Sequence, residues 1–164
     1  MQTQECLRKR HSARSFNSKP IDKNIIEKVA ESVRFAPSAR NVQPWELVAV
    51  TEKSVLAKLG QIAENGRFIS ECACCIAVFC SDTKYYLEDG CAAAENILIS
   101  ATDLGLASCW VAGDKKPYCE EIKAMLKVPK EFKLVNLIAM GYSDKDSEPP
   151  EKKPLKDILH WERY

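Results

Sequence analysis

The segment Arg8–Phe16 concentrates groups that bind anions. It holds four cationic side chains, one histidine and two serines within nine residues. Arginines form paired hydrogen bonds with phosphate oxygens, and nearby hydroxyl and backbone N–H groups add further donors. From composition alone the segment favours a solvated run of charge, and a phosphate site is the other interpretation.

A second segment, Ala36–Trp45, combines two prolines with the amide side chains of Asn41 and Gln43. Amides both donate and accept hydrogen bonds, as the edge of a heterocycle requires. A rigid loop that reads such an edge is one interpretation, and a turn leading into a buried tryptophan is the other.

A third segment, Leu104–Asp114, joins an apolar helix pattern to an apolar strand pattern and contains Gly113. A glycine lets the backbone approach a ligand closely. Taken alone, this segment favours an ordinary strand and loop over a ligand site.

The eight cysteines include one formal CxxC, from Cys72 to Cys75. It runs into the strand pattern of residues 76–79, and strand alternation predicts that Cys72 and Cys75 lie on opposite faces. The only histidines are His11 and His160. We therefore expect buried, reduced thiols and no metal, with a metal or redox site as the alternative.

Motifs for other chemistries are missing from the chain. No two of its six glycines are spaced as G-x-G, and it contains neither H-E-x-x-H nor G-x-S-x-G. The sequence predicts no catalytic side chain. If the protein is an enzyme, a bound cofactor should carry the chemistry.

Alternating helix and strand patterns should position these segments. The longest helix pattern, Leu87–Leu104, is rich in alanine, so we expect it to be central or to lie at a subunit interface. The charged tail 143–164 should pack on the domain or on a partner subunit. The other predicted helices are 3–10, a helix capped by Asp22 that ends at Pro37, 54–64 and 117–126, and the predicted strands are 45–51, 75–81, 107–112 and 134–140.

The composition describes one ordinary domain spanning residues 1–164. Apolar residues make up 46% and charged residues 29%, and the net charge is +1. Such a balanced chain has no overall field for nucleic acid or an anionic membrane. Without a signal-like apolar segment or a stretch long enough to span a bilayer, we expect a cytoplasmic protein.

In order along the chain, the three segments resemble the motifs of the nitroreductase family in a short form. The family's R-R-S-x-R-x-F corresponds to residues 10–16, A-P-S-[SA]-x-N-x-Q-P-W to 36–45, and G-L-G-S-C-W to 105–110. A late G-Y and K-P-L correspond to 141–142 and 153–155. The chain departs from these patterns at His11, Ala39 and Ala107.

The resemblance implies an α+β fold: a homodimeric sandwich with a central, mainly antiparallel sheet flanked by helices. It also implies bound FMN, NADH or NADPH as reductant, and a small electrophilic acceptor, such as a nitroaromatic or a quinone, reduced in ping-pong turnover. The acceptor is not identified. The short connection between the second strand and the long helix implies an open, weakly selective site.

The resemblance also assigns site residues. Arg10, Ser12 and Arg14 match positions that hold the FMN phosphate and ribityl chain, and His11 contributes mainly backbone. Asn65 and Arg67 stay unassigned. The remaining matches are Lys152 and Lys153 (one of which closes on the phosphate), Pro37, Ser38 and Asn41 (lent to the flavin of the partner subunit), Gln43 (supporting that loop), and Ala112 with Gly113 (facing the ring near N5).

Two other interpretations stay open. The protein could store or sense FMN without turnover, or it could catalyse another flavin reaction of the same family. The second usually requires a lid or clamping insertion, and we find none in the sequence.

Overall fold

The fold is built on four antiparallel strands in the spatial order β1-β2-β4-β3. A computed structural model describes residues 1–145 and 149–164. The strands are β1 (Trp45–Val50), β2 (Cys74–Ser81), β3 (Ala107–Ala112) and β4 (Phe132–Gly141). The expected sheet, mainly antiparallel and flanked by helices in an α+β sandwich, is thereby confirmed.

The two central strands owe their position to continuous apolar runs. β2 is buried along nearly its whole length, and so is β4 beyond its first two residues. A strand buried on both faces needs an apolar layer on each side. The register between them shifts at Val78 and Phe79, which pair with Asn136 and Leu134, so that Val135 is a bulge residue.

The described residues form five α-helices, and four of them cover the two faces of the sheet. One face packs against the second and fourth helices, and the other against the third and fifth. Within the described ranges no helix is long and apolar enough to cross a membrane. The helices are α1 (Thr3–Lys9), α2 (Lys23–Glu31), α3 (Lys53–Ile62), α4 (Tyr86–Asp103) and α5 (Cys119–Met125).

Three expectations from the sequence need correction or refinement. The helix predicted to reach Pro37 ends at Glu31, and a 3-10 turn, Ser32–Phe35, follows it. The side chain of Asp22 makes no capping hydrogen bond within the described residues. The placement of Cys72 and Cys75 on opposite faces is wrong. Both lie in the same hydrophobic cluster, because Cys72 precedes β2 and the alternation of a strand does not apply to it.

The alanine-rich helix α4 is central to the protomer. Ala93, Ala94 and Ala101 are fully buried against the sheet. Small side chains let the helix approach the strands closely. The expected central position of this helix is confirmed within the protomer, and its position at a subunit interface stays a prediction.

Among the described residues, the predicted tail contacts the domain only at its beginning, where Asn17 Nδ2 donates to Asp144 Oδ1 at 2.7 Å. Residues 149–164 are exposed throughout, including Leu155, Ile158 and Trp161. Part of the predicted tail, residues 146–148, lies outside the described residues. Packing on a partner subunit stays a prediction.

Candidate functional site

The basic segment of the sequence lies along the start of β3. Ser12 forms a parallel bridge with Ser108, and the Ala13 N–H donates to the Ser108 carbonyl at 2.9 Å. Farther on, the Asn17 N–H donates to the Tyr142 carbonyl at 2.8 Å. These bonds hold residues 10–17, the basic strip, in an extended conformation along the edge of the sheet.

Four predicted phosphate-site residues, Arg10, His11, Ser12 and Arg14, therefore share one short strip. The Nε of Arg10 lies 4.0 Å from Glu95 Oε1, and the Nδ1 of His11 lies 3.0 Å from the carbonyl oxygen of Lys9. Arg14 is exposed and donates one long hydrogen bond, 3.4 Å, to the Ser12 carbonyl. Its guanidinium makes no ion pair with any residue the structure describes.

A cavity of about 230 Å³ opens beside this strip. Its lining includes Ser12, Arg14, Ser143 and Lys145, so hydroxyl and cationic groups surround it. The hydroxyl of Ser108, on the strand behind Ser12, is buried and has no hydrogen-bond partner in the part of the chain that the structure describes. The donor set fits a phosphate, and Lys145 and Ser143 are members that the sequence motifs did not indicate.

The two tail lysines lie apart from this cavity. Lys152 and Lys153 are exposed, and neither lines the cavity or forms an ion pair within residues 1–145 and 149–164. A single chain therefore does not bring them to the basic strip.

The loop 37–43 has a strained backbone. Arg40, Asn41 and Gln43 have positive φ angles of 55°, 56° and 52°, a left-handed conformation that is unfavourable for residues other than glycine. Inside the loop, the Gln43 N–H donates to Ser38 Oγ at 2.9 Å and Gln43 Nε2 donates to Asn41 Oδ1 at 3.1 Å. Gln43 thus supports the loop, while Pro37 and Asn41 are exposed and Ser38 is half-buried.

The loop that follows β3 is held by side chains on its inner side. Tyr118 donates a hydrogen bond to the Ala112 carbonyl, and the Cys119 thiol donates to the Gly113 carbonyl. A Cβ on Gly113 would lie 2.7 Å from the backbone oxygen of Val135. Only a glycine lets this loop pack so closely on β4. The preceding residue, Ala112, is exposed.

The next residue, Asp114, is anchored to α4. The Tyr86 hydroxyl donates to Asp114 Oδ1 at 2.6 Å. This hydrogen bond to a carboxylate, with some desolvation, raises the pKa of Tyr86 to about 12. Lys133 Nζ lies 4.5 Å from the centre of the Tyr86 ring and pairs with Asp82 at 2.6 Å.

Strand β3 separates the basic strip from this loop. Four residue steps lie between Ser108, beside the strip, and Ala112, which at strand geometry is about 13 Å. The two predicted ends of the site therefore lie at opposite ends of one strand. This separation suits a ligand with a phosphate at one end and a planar ring at the other.

Sequence reasoning missed the residues that hold the loops in place. Asp89 accepts a hydrogen bond from the Ala39 N–H at 2.9 Å, and Tyr86 and Cys119 hold the other loop. Only Asp89 carried a signal in the sequence. It is a carboxylate next to Gly90, Ala93 and Ala94 on a helix face that the periodicity already marked as apolar.

The cysteines form no candidate metal centre within the part of the chain that the structure describes. All eight are free, and six of them are buried. Burial raises the pKa of Cys72, Cys74 and Cys80 to about 12, so these thiols stay protonated at neutral pH.

Two family models match complementary parts of the chain. "Nitroreductase family" matches residues 7–69, and "Putative TM nitroreductase" matches residues 61–164, which is more than half of the chain. Together they include both loops and the basic strip.

Individual relatives match over nearly the full length. A protein of Archaeoglobus fulgidus named "Putative NADH dehydrogenase/NAD(P)H nitroreductase" is 28% identical, over 98% of this chain and 99% of its own. A crystal structure of a protein of the same name from Parabacteroides distasonis has a TM-score of 0.94, at 27% identity, and covers 100% of this chain and 99% of its own. An "FMN-dependent Nitroreductase" from Clostridium difficile has a TM-score of 0.91, at 26% identity, and covers 97% of this chain and 98% of its own.

Proposed function

We propose that this chain, which belongs to the nitroreductase family, binds FMN and uses it to oxidise NADH or NADPH and reduce a small electrophilic acceptor. Family membership makes it an oxidoreductase of the nitroreductase type. The observation that carries the FMN proposal is the pair of features at the two ends of β3. The cationic cavity beside Ser12 suits the phosphate, and the closely packed loop at Gly113 suits the ring.

The phosphate end would be held by charge-assisted hydrogen bonds. Arg14 is exposed and Ser12 lies on the same strip, with Arg10 and His11 preceding them. Two phosphate charges need local cations in a chain whose net charge is only +1. Lys145 lines the same cavity, and Lys152 or Lys153 would join it only from a partner subunit.

At the ring end, backbone groups of Ala112 and Gly113 would face the flavin. Their carbonyls are occupied on the inner side by Tyr118 and Cys119, which orients the peptide planes of the loop. FMN, when bound, supplies a ring that accepts hydride at N5 and then reduces the second substrate. This chain contributes binding and orientation, and we assign no catalytic side chain.

The site should be open to both substrates in turn. Only residues 82–85 connect β2 to α4, so no inserted helices cover the loop at Ala112 from this connection. An open site admits donor and acceptor alternately, which agrees with ping-pong turnover. Nitroaromatics and quinones are the acceptor classes we propose.

The functional unit we propose is a homodimer with FMN between the subunits. The tail exposes Leu155, Ile158 and Trp161, and exposed apolar side chains in a group mark an interaction surface. The loop with Ser38 and Asn41 would reach the flavin of the partner. We also propose a cytoplasmic location, supported by eight free cysteines, which are typical of a reducing compartment.

The decisive experiment combines flavin analysis with steady-state kinetics. Flavin released from the purified protein by acid should co-elute with FMN, because the chain lacks the dinucleotide-binding glycines. NADH or NADPH oxidation with a quinone or nitroarene panel should greatly exceed that of free FMN. Bound FMN without accelerated turnover would instead favour storage or sensing, and predominant FAD would contradict the proposed cofactor.

A further inference from the structure

The first turn of α4 contacts two loops that bind flavin in the proposed dimer: the loop at Gly113, in the site of its own subunit, and the loop 37–43, in the site of the partner. Tyr86 reaches Asp114 at 2.6 Å, and Asp89 accepts from the Ala39 N–H at 2.9 Å. Residues three apart in a helix are neighbours on its surface. One helical turn therefore sets the position of the loop at Ser38 relative to the loop at Gly113.

The loop 37–43 needs a contact with another element to keep its conformation. Three of its residues have left-handed backbone conformations without being glycine, and such strain persists only where the surroundings impose it. Its other hydrogen bonds are internal, such as the Gln43 N–H to Ser38 Oγ. Among the described residues, the bond from Ala39 to Asp89 is the one hydrogen bond that ties residues 38–43 to another element.

The buried carboxylate of Asp89 lowers the stability of the protomer. Asp89 is only 6% exposed, and its Oδ2 has no hydrogen-bond partner among the described residues. It forms no ion pair with any described residue, and a buried carboxylate without full pairing destabilises a fold. Its place in the first turn of an 18-residue helix lowers that cost, because the helix dipole favours negative charge there.

We propose that Asp89 is a positioning residue for the flavin site. Its Oδ1 accepts from the Ala39 N–H, and through that bond it keeps Ser38 and Asn41 in the conformation that presents them to the FMN of the partner subunit. Asp89 does not contact the cofactor in this proposal. The inference rests on the proposed function only in taking the loop 37–43 to bind flavin.

Three variants separate the hydrogen bond from the charge and from general stability. Asp89→Ala removes the acceptor. Asp89→Asn keeps an oxygen that can accept from Ala39 while removing the charge. Glu88→Gln, at the exposed neighbouring position, is the matched control.

A fourth variant removes the same bond from the side of the loop. Ala39→Pro deletes the N–H donor, and Ser38, with φ −138° and ψ 152°, already has the extended conformation that precedes proline. This variant keeps the test available if Asp89→Ala does not fold.

FMN affinity is measured by fluorescence titration of the apoproteins, at a temperature where circular dichroism shows each variant to be folded. Asp89→Ala and Ala39→Pro should each weaken binding roughly tenfold or more, as expected for losing one bond to a charged group. Asp89→Asn should restore most of the affinity, and Glu88→Gln should leave it unchanged. Hydrogen exchange in the apoprotein should accelerate at residues 40–43 in Asp89→Ala, and not in Asp89→Asn.

The outcomes distinguish this inference from the proposed function. If the unmodified protein does not bind FMN, the proposed function fails, and hydrogen exchange still tests the contact of Asp89 with the loop. If it binds FMN and Asp89→Ala binds equally well, the positioning role is wrong. An Asp89→Asn variant as weak as Asp89→Ala would also overturn it, because the charge rather than the hydrogen bond would then matter.

Discussion

At the scale of single residues, the environment of each cation decides what it can bind. Lys9 lies on α1, is 58% exposed at its side chain and pairs with Glu5 at 2.8 Å. Arg14 lies on the extended strip beside β3, lines a cavity with Ser12 and Lys145, and has no acidic partner among the described residues. The Arg14 side chain is therefore available to bind a ligand, whereas the Lys9 side chain is already paired.

Arg14→Ala should therefore weaken FMN binding far more than Lys9→Ala. A charge-assisted hydrogen bond contributes about 1.5–3 kcal/mol, which is roughly 10- to 150-fold in affinity, and solvent exposure places Arg14 toward the lower end. Titration with riboflavin, which lacks the phosphate, is the control and should show little difference between Arg14→Ala and the unmodified protein. Equal, small losses of FMN affinity in both variants would contradict the assignment of Arg14.

At the scale of elements, the loop after β3 depends on a close backbone approach. Gly113 packs against the peptide of Val135 in β4, and backbone cannot rotate away as a side chain can. Gly105 contrasts with it, because a Cβ there meets nothing within 4 Å although its φ is +74°. The two glycines serve different needs, packing in one case and chain reversal in the other.

Gly113→Ala should displace the loop and reduce both stability and FMN affinity. Overpacking typically costs 1–3 kcal/mol, so we expect about 2 kcal/mol lower unfolding free energy in urea. Gly105→Ala, the matched control, should lose about 1 kcal/mol from backbone strain and keep its FMN affinity. A Gly113→Ala variant with unchanged flavin affinity would show that this loop does not set the site.

Strand β2 brings buried thiols into the core, and their ionisation links stability to pH. Burial raises the pKa of Cys72, Cys74 and Cys80 to about 12 in the folded protein. In the unfolded chain these thiols ionise near their ordinary value of about 8.5. The unfolded state therefore loses protons first, and the stability that these thiols contribute is lost as the pH rises from about 9 to about 12.

A thiol titration checks the same burial. At pH 8 in the native protein, only Cys91 and Cys119, the two half-buried cysteines, should react readily with a disulfide reagent. In denaturant without reductant, all eight should react. Fewer than eight under denaturing conditions would reveal disulfides, and about one equivalent of zinc per chain would contradict the expected absence of a metal.

At the scale of the whole molecule, the tail is the element that does not fit a monomer. Residues 149–164 are exposed, and Leu155 is 67%, Ile158 60% and Trp161 76% exposed. Burying a large apolar side chain contributes about 1.5–3 kcal/mol, so a second subunit would gain from covering each of them. Ala94 is fully buried inside the protomer and is therefore not a suitable position for disrupting a dimer.

Trp161→Glu should shift the protein toward monomers. FMN should be released over the same range of protein concentration in which the dimer dissociates. Lys156→Glu, an exposed polar change in the same tail, is the control and should retain the dimer. Light scattering gives the mass, and flavin absorbance after gel filtration gives the occupancy. If FMN binds only the dimer, the melting temperature should rise with both flavin and protein concentration. A monomer with full FMN occupancy would contradict this arrangement.

The amino-acid sequence by itself determined the order and type of the main elements. The apolar run of β2, the alternation of helices and strands and the length of α4 depend on local periodicity, so each matches its prediction within a few residues. The family, too, could be inferred from short motifs, because each motif is a continuous segment with a fixed spacing.

Only the tertiary structure decided which parts of those motifs meet. Pairing of Ser12 with Ser108 joins residues 96 positions apart, and Asp89 meets Ala39 across 50 positions. The wrong placement of Cys72 and the exposure of the tail have the same origin. Contacts between distant segments depend on how whole elements pack, and a local pattern of residues does not specify which residues it will contact on another element.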